Sequence, residues 1–141
     1  MIRVSGFLLA VSLPVSAQTA DTTERAVAAG AYTEAQATLG ETVFAQSCAS
    51  CHIREDHTGE KFSMNWFGRT VFDYFKLIKS TMPDDNIGGL SDDDYLRVIA
   101  YILKANGFVP GADSLAADTV ALKRLRIGPA VTDTATRRTR R

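Results

Sequence analysis

Apolar and polar positions alternate with helical periods along most of the chain. Gly40, Phe44 and Cys48 recur every four residues and Val43 joins their face, which predicts a helix over 35–48 with one buried stripe. Over 70–80, Val71, Phe72, Tyr74, Phe75, Leu77 and Ile78 are apolar while Asp73, Lys76 and Lys79 return every three on the wet face, predicting a second helix. Ser91-Asp92-Asp93-Asp94 opens a third: serine is a good N-cap, and three acids in the first turn suit the helix dipole. From Tyr95 to Leu103 only Arg97 is polar, so this helix is buried around most of its girth, and Asn106-Gly107 supplies a left-handed stop. A last short helix is expected over 115–125, anchored by Leu115, Val120, Leu122 and Leu125. No strand pattern competes, so the fold class is all-α.

Between these blocks, residues 49–69 contain Gly59 and Gly68 and no clean period, so a long functional loop is expected there. Asn86, Gly88 and Gly89 make 84–90 a turn region. At the N-terminus, Arg3 precedes a mostly apolar run from Val4 to Val15, broken by Ser5, Gly6, Ser12 and Pro14, and Val15-Ser16-Ala17 offers small residues before a cut. Residues 1–17 are therefore expected to be an export signal peptide. A retained anchor is the alternative, for which the run is short and Pro14 poorly placed. Residues 18–34 are expected to be a flexible segment because the Ala/Thr-rich stretch to Gly30 has no sustained apolar stripe. Residues 35–129 then form one folded domain and 130–141 a basic disordered tail.

Composition narrows the function. With 141 residues, 45% hydrophobic, the chain has material for one modest core. Its 16 basic and 16 acidic side chains give no global excess that would point to nucleic acid. The balance hides a polarity, since residues 18–129 hold 11 basic and 15 acidic groups while Arg137, Arg138, Arg140 and Arg141 crowd the tail. Such a tail suits weak contact with an acidic partner or an anionic membrane surface, with a solvated tail as the plain alternative. Three or four short helices around so small a core are marginal by apolar area alone, which suggests a bound or covalent centre for the core to wrap.

Cys48-Ala49-Ser50-Cys51-His52 supplies that centre. Cys-x-x-Cys-His is the attachment signature of c-type haem: thiols three positions apart add to the two vinyl groups of one porphyrin, and the adjoining His52 lies under the iron. A thioredoxin-like redox pair would want a βαβ context that the pattern lacks, and a zinc site would want two more ligands where only His57 remains. Export agrees with haem attachment and places the protein in the periplasm or otherwise outside the cytoplasm.

The second axial ligand decides what haem does, because an open iron binds gases and peroxides while a six-coordinate iron passes electrons. Met64, Met82 and His57 are the candidates. Met82 is preferred, because Pro83 biases it toward an extended backbone at a helix end and thirty residues from His52 suffice to pass round a haem edge. His57, five residues from His52, would need a very tight path to the opposite face. A plain core methionine is the competing reading of Met82.

On these residues, from about Gly40 to Gly107, the chain resembles a class I, monohaem cytochrome c. The resemblance implies a cytochrome c-like fold, three to four short helices around one covalently attached haem c. It also implies that a helix carrying Gly40 and Phe44 crosses one carrying Tyr101, that Cys48 and Cys51 attach the haem, and that His52 and Met82 bind iron. Phe67-Gly68-Arg69-Thr70-Val71, Met82-Pro83-Asp84 and Ala100-Tyr101-Ile102-Leu103 with Asn106-Gly107 are similar to cytochromes associated with quinoprotein dehydrogenases. Many members have a proline soon after the haem histidine whose carbonyl accepts from it; none stands between His52 and Pro83, so the acceptor for His52 is open.

Trp66, through its indole N–H, and Arg69, through a charge-assisted bond, are placed to meet the haem propionates, with burial and a solvated surface as competing roles. Tyr74 and Phe75 read as core. The expected function is one-electron transfer between larger redox proteins, such as a quinoprotein dehydrogenase or terminal oxidase, rather than an enzyme activity. Two other functions fit the same motif: an open-site haem protein with peroxidase or gas-sensing activity, and a fixed electron-transfer subunit of a dehydrogenase or respiratory complex.

Overall fold

A computed structural model describes residues 24–128. Helix α1 spans Glu34–Ser47, α2 Gly59–Trp66, α3 Val71–Thr81, α4 Asp92–Ala105 and α5 Thr119–Arg124. Each main helix begins where a polar side chain replaces a missing backbone partner. Thr33 accepts from the Gln36 N–H at 3.1 Å, Ser91 from Asp94 N–H at 3.1 Å, and Asp118 from Val120 and Ala121 at 2.8 and 3.2 Å. At α3 the cap is reciprocal: Thr70 Oγ1 accepts from Asp73 N–H, and the Asp73 carboxylate accepts from Thr70 N–H at 2.9 Å and its hydroxyl at 2.7 Å.

Helices α1 and α4 form the principal contact, and Gly40 is the reason they lie so close. A Cβ there would stand 1.8 Å from the Arg97 carbonyl oxygen and 3.0 Å from Tyr101 Cβ. One turn on, Phe44 packs against Tyr101 with ring centres 5.4 Å apart. The polar and apolar spacing of α4 translates directly into burial, with Leu96, Ile99, Ala100 and Leu103 fully enclosed and Tyr95, Val98 and Ile102 nearly so. Asn106 and Gly107, at φ 81°, end it as expected.

Some local expectations are corrected. Residues 49–69 are not one loop: a 3-10 turn over Arg54–His57 leads into α2, whose Phe62 is buried against Tyr74 and Phe108. One inward aromatic and its short length explain why no period showed. Of residues 18–34, expected to be a flexible segment, the described part 24–34 packs into the fold. Arg25–Ala26 (β1) pairs in parallel with Leu125–Arg126 (β2), and Val27, Ala31 and Tyr32 are fully buried. The cost of ordering this stretch is offset by few but complete burials, Tyr32 also donating its hydroxyl to the Phe108 carbonyl. That two-residue pair is the strand content among the described residues, too short to leave an alternation, and the fold is mostly helical as expected.

The final helix is shorter than expected. Leu115 stays outside it, buried and clamped by Gln36, whose amide exchanges hydrogen bonds with Leu115 O and N at 2.8 and 2.9 Å. Val120 is 57% exposed and anchors nothing, whereas Leu122 and Leu125 are buried. Residues 1–17, expected to be a signal peptide, residues 18–23, Pro129 and residues 130–141, expected to be a basic disordered tail, lie outside the described residues. Among the described residues no helix is long and apolar enough to cross a membrane.

Candidate functional site

Helix α1 ends by delivering Cys48. The Cys48 N–H still donates to Phe44 O at 2.9 Å, and the chain then turns so that the N–H groups of Cys51 and His52 both reach Cys48 O, at 3.1 and 2.9 Å. This winds the pentapeptide around a single carbonyl. Cys48 is half-buried and Cys51 exposed, both as free thiols. Burial pushes the Cys48 thiol above its ordinary range, since the thiolate would lose its hydration.

From the far side, α3 ends at Met82. Its φ of −133° and ψ of 156° are the extended backbone that the following Pro83 demands, and the Met82–Pro83 peptide is cis. Met82 N–H closes the helix on Ile78 O at 2.8 Å, and the Met82 carbonyl accepts from the Tyr95 hydroxyl at 2.7 Å. Thus α4 holds the methionine loop from behind.

Cys48, His52 and Met82 line one cavity with about 770 Å³ of empty space, its open mouth included. Phe44 walls it from α1, Tyr74 and Ile78 from α3, and Tyr95, Val98 and Ile102 from α4. No Asp, Glu, Lys or Arg lines it. A neighbouring cleft shares Cys48, His52, Met82 and Pro83 and adds Cys51, Asp84 and Asp85, so the second thiol stands at an acidic, exposed lip. A flat apolar group large enough to fill this space would have two thiols at its edge and an imidazole and a thioether in its cavity. That donor set fits haem c.

The remaining candidates separate. Met64 is 79% exposed and does not reach the cavity. His57 does: its half-buried ring lies 5.2 Å from the His52 ring and meets Phe44 edge-on at 6.0 Å. Burial lowers its pKa, the nearby His52 adds to that, and Asp56 opposes it. Trp66 lines the cavity, stacked on Tyr74 at 4.1 Å. Arg69 does not line it, but its guanidinium lies over the Trp66 ring at 5.6 Å. Tyr74 is buried and Phe75 half-buried in the core cluster. Among the described residues no group of three or more His, Cys, Asp or Glu side chains gathers to hold a metal by itself.

Two contributors escaped the sequence reading. Tyr95 counted only as an apolar helix residue, although its i, i+3, i+7 spacing with Val98 and Ile102 marks the cavity face. Asn106 counted only as a helix stop, yet its side chain donates to His57 O at 2.9 Å and Ile102 O at 2.8 Å and accepts from Gly59 N–H at 3.0 Å. No local pattern announces such a clamp.

Residues 35–102 match the family described as Cytochrome C oxidase, cbb3-type, subunit III. In this stretch the chain is similar to a cytochrome c domain. No curated protein and no solved structure matches the chain. The match covers α1 through most of α4 and so includes the Cys48–His52 motif, α2, α3 and the Met82 loop. The match supports a haem-based electron carrier, and the fold around this cavity is mostly helical and cytochrome c-like. The α1–α4 crossing at Gly40, Phe44 and Tyr101 is the one the resemblance implied.

Proposed function

We propose that the protein is an exported one-electron carrier with a single haem c attached through Cys48 and Cys51 and with His52 and Met82 as axial ligands of the iron. The observation that carries this reading is that His52 and Met82 share one apolar cavity with the attachment motif at its rim. When bound, the haem supplies the one-electron couple. The residues set its terms. A thioether at Met82 favours the ferrous state relative to a second imidazole and so raises the potential. Phe44, Val98 and Ile102 exclude water, and the low dielectric they create disfavours the extra positive charge of the oxidised centre. Pro83 and the Tyr95 hydroxyl hold Met82 where small ligands would otherwise enter. Cys51 at the lip leaves one edge of the site at the surface, within reach of a redox partner such as a terminal oxidase or quinoprotein dehydrogenase. Trp66 inside the cavity, with Arg69 stacked on it, is the pair positioned for the propionates.

The test is the optical spectrum of protein produced with a c-type maturation system. Low-spin haem with a red methionine-to-iron charge-transfer band is expected, together with slow or negligible carbon monoxide binding by the ferrous protein. Met82→Ala should abolish the band and lower the potential; survival of both would refute the Met82 ligation. Rapid carbon monoxide binding by the wild type would instead mean an open-site haem protein. The name of the matched family favours a second reading, in which the chain is a fixed subunit of a respiratory complex. Co-purification with an oxidase that survives high salt would establish it.

A further inference from the structure

His57 is a half-buried imidazole in the haem cavity that the proposed electron transfer does not use. Building on the assignment of His52 as iron ligand, we infer that His57 is the hydrogen-bond partner that orients His52 and tunes its strength as a ligand. A histidine bound to a metal through one ring nitrogen keeps an N–H on the other and nearly always donates it to a neighbouring acceptor, which fixes the ring and raises its basicity. The His52 side chain has no hydrogen bond among the described residues. Of the other polar side chains lining the cavity, the Tyr95 hydroxyl is committed to Met82 O and the Thr81 hydroxyl to Leu77 O, the Trp66 indole N–H can only donate, and the Tyr74 hydroxyl is in no ring contact with His52. His57 alone is in ring contact with His52.

The geometry suits the bond. Two imidazoles joined by an N–H···N hydrogen bond have centres about 5 Å apart. Here the centres are 5.2 Å apart with the planes inclined by 61°. The bond is not made in the present orientations, so the inference requires the rings to turn about their Cβ–Cγ bonds until a nitrogen of each meets the other. A neutral imidazole has one lone pair to accept with. His57 is also held in place, because Asn106 grips its carbonyl at 2.9 Å and the Gly59 N–H two residues on at 3.0 Å, while Phe44 backs the ring. Residue 57 is thereby fixed to α4, an element that does not carry the attachment motif.

The experiment compares haem-loaded wild type, His57→Ala and His57→Gln by midpoint potential and by the His52 ring N–H resonance in the diamagnetic ferrous state. Loss of the acceptor weakens His52 as a donor, so His57→Ala should raise the potential and shift and broaden that resonance. His57→Gln, which keeps an acceptor, should restore both toward wild type. The charge-transfer band should be retained in all three. Unchanged potential and resonance in His57→Ala would overturn the inference, as would equal effects of Ala and Gln. If wild type lacks the band and His57→Ala becomes high-spin, His57 is itself an axial ligand and the inference falls. A wild-type chain that takes up no covalent haem under maturation, seen by haem staining before any variant is made, refutes the carrier reading and this inference with it.

Discussion

Replacing Gly40 by alanine sets two opposed effects against each other at one position. Inside a helix, Gly→Ala is favourable by about 1 kcal/mol, because the unfolded glycine has more freedom to lose. The new methyl, however, would stand 1.8 Å from Arg97 O and 2.4 Å from Arg97 C, both backbone atoms that no rotamer can move. Reaching ordinary contact requires α1 and α4 to part by roughly 1–2 Å. Parting by about 1 Å over a contact of about 100 Å² opens roughly 100 Å³, and at ~24 cal/mol per Å³ that costs about 2 kcal/mol before any strain. Strain from overpacking adds about 1 kcal/mol or more. Gly40→Ala should therefore be destabilised by about 2 kcal/mol net, lowering the urea midpoint by about 1 M. The assay is urea unfolding of the haem-loaded protein followed by helical circular dichroism, with exposed Ala45→Gly as a control that feels helix propensity alone. A Gly40→Ala midpoint equal to or above wild type would refute the close-crossing argument. Because Phe44 and Ile102 sit beside this crossing and wall the cavity, the same variant should bind cyanide faster.

Three further outcomes are expected. The Thr70 N–H and hydroxyl hold the Asp73 carboxyl below its ordinary value of 3.8, so its contribution is fully present above that value and is lost as pH falls through the lower folded pKa. Asp73→Asn should cost about 1 kcal/mol at neutral pH and flatten the decline in stability below about pH 4, read by thermal melts across pH. Tyr95→Phe removes the donor to the Met82 carbonyl, which keeps only the longer Gly88 N–H contact at 3.3 Å; a loss of about 1 kcal/mol and faster imidazole displacement of the iron's sixth ligand should follow in stopped-flow mixing. Asn106→Ala strips partners from His57 O and Gly59 N at once, and should cost about 1–3 kcal/mol and speed amide exchange at Gly59 without altering that of α1.

What could be read without the structure was whatever is local. The Cys48–His52 spacing, the Ser91 cap, the apolar girth of α4 and the Met82-Pro83 ending of α3 each lie within a few residues, and each is where it was expected. The distant pairings were invisible because they leave no period. Arg25 meets Leu125, the Gly68 N–H meets Ile127 O, and the Gln36 amide closes on Leu115. Helix α2 escaped for a different reason: only Phe62 is buried in it, while Met64 faces solvent. At the site, Cys48, Cys51, His52 and Met82 stood out by their chemistry, and Cys48, His52 and Met82 line one cavity, whereas the contacts of Tyr95 and Asn106 depend on what α4 and its end happen to pass.

The short β1–β2 pair also orders events in time. A chain made from its N-terminus has Arg25 and Ala26 long before Leu125 and Arg126, their partners one hundred positions later. The cysteines, by contrast, follow α1 directly, and α1 gains its main partner only with α4. There is thus an interval in which the attachment motif has emerged while the seam that joins the two ends is still open. That seam, with Arg126 tying Glu24 to the Gly68 carbonyl, can close only after residues 125 and 126 are made, so its contacts are among the most non-local in the fold.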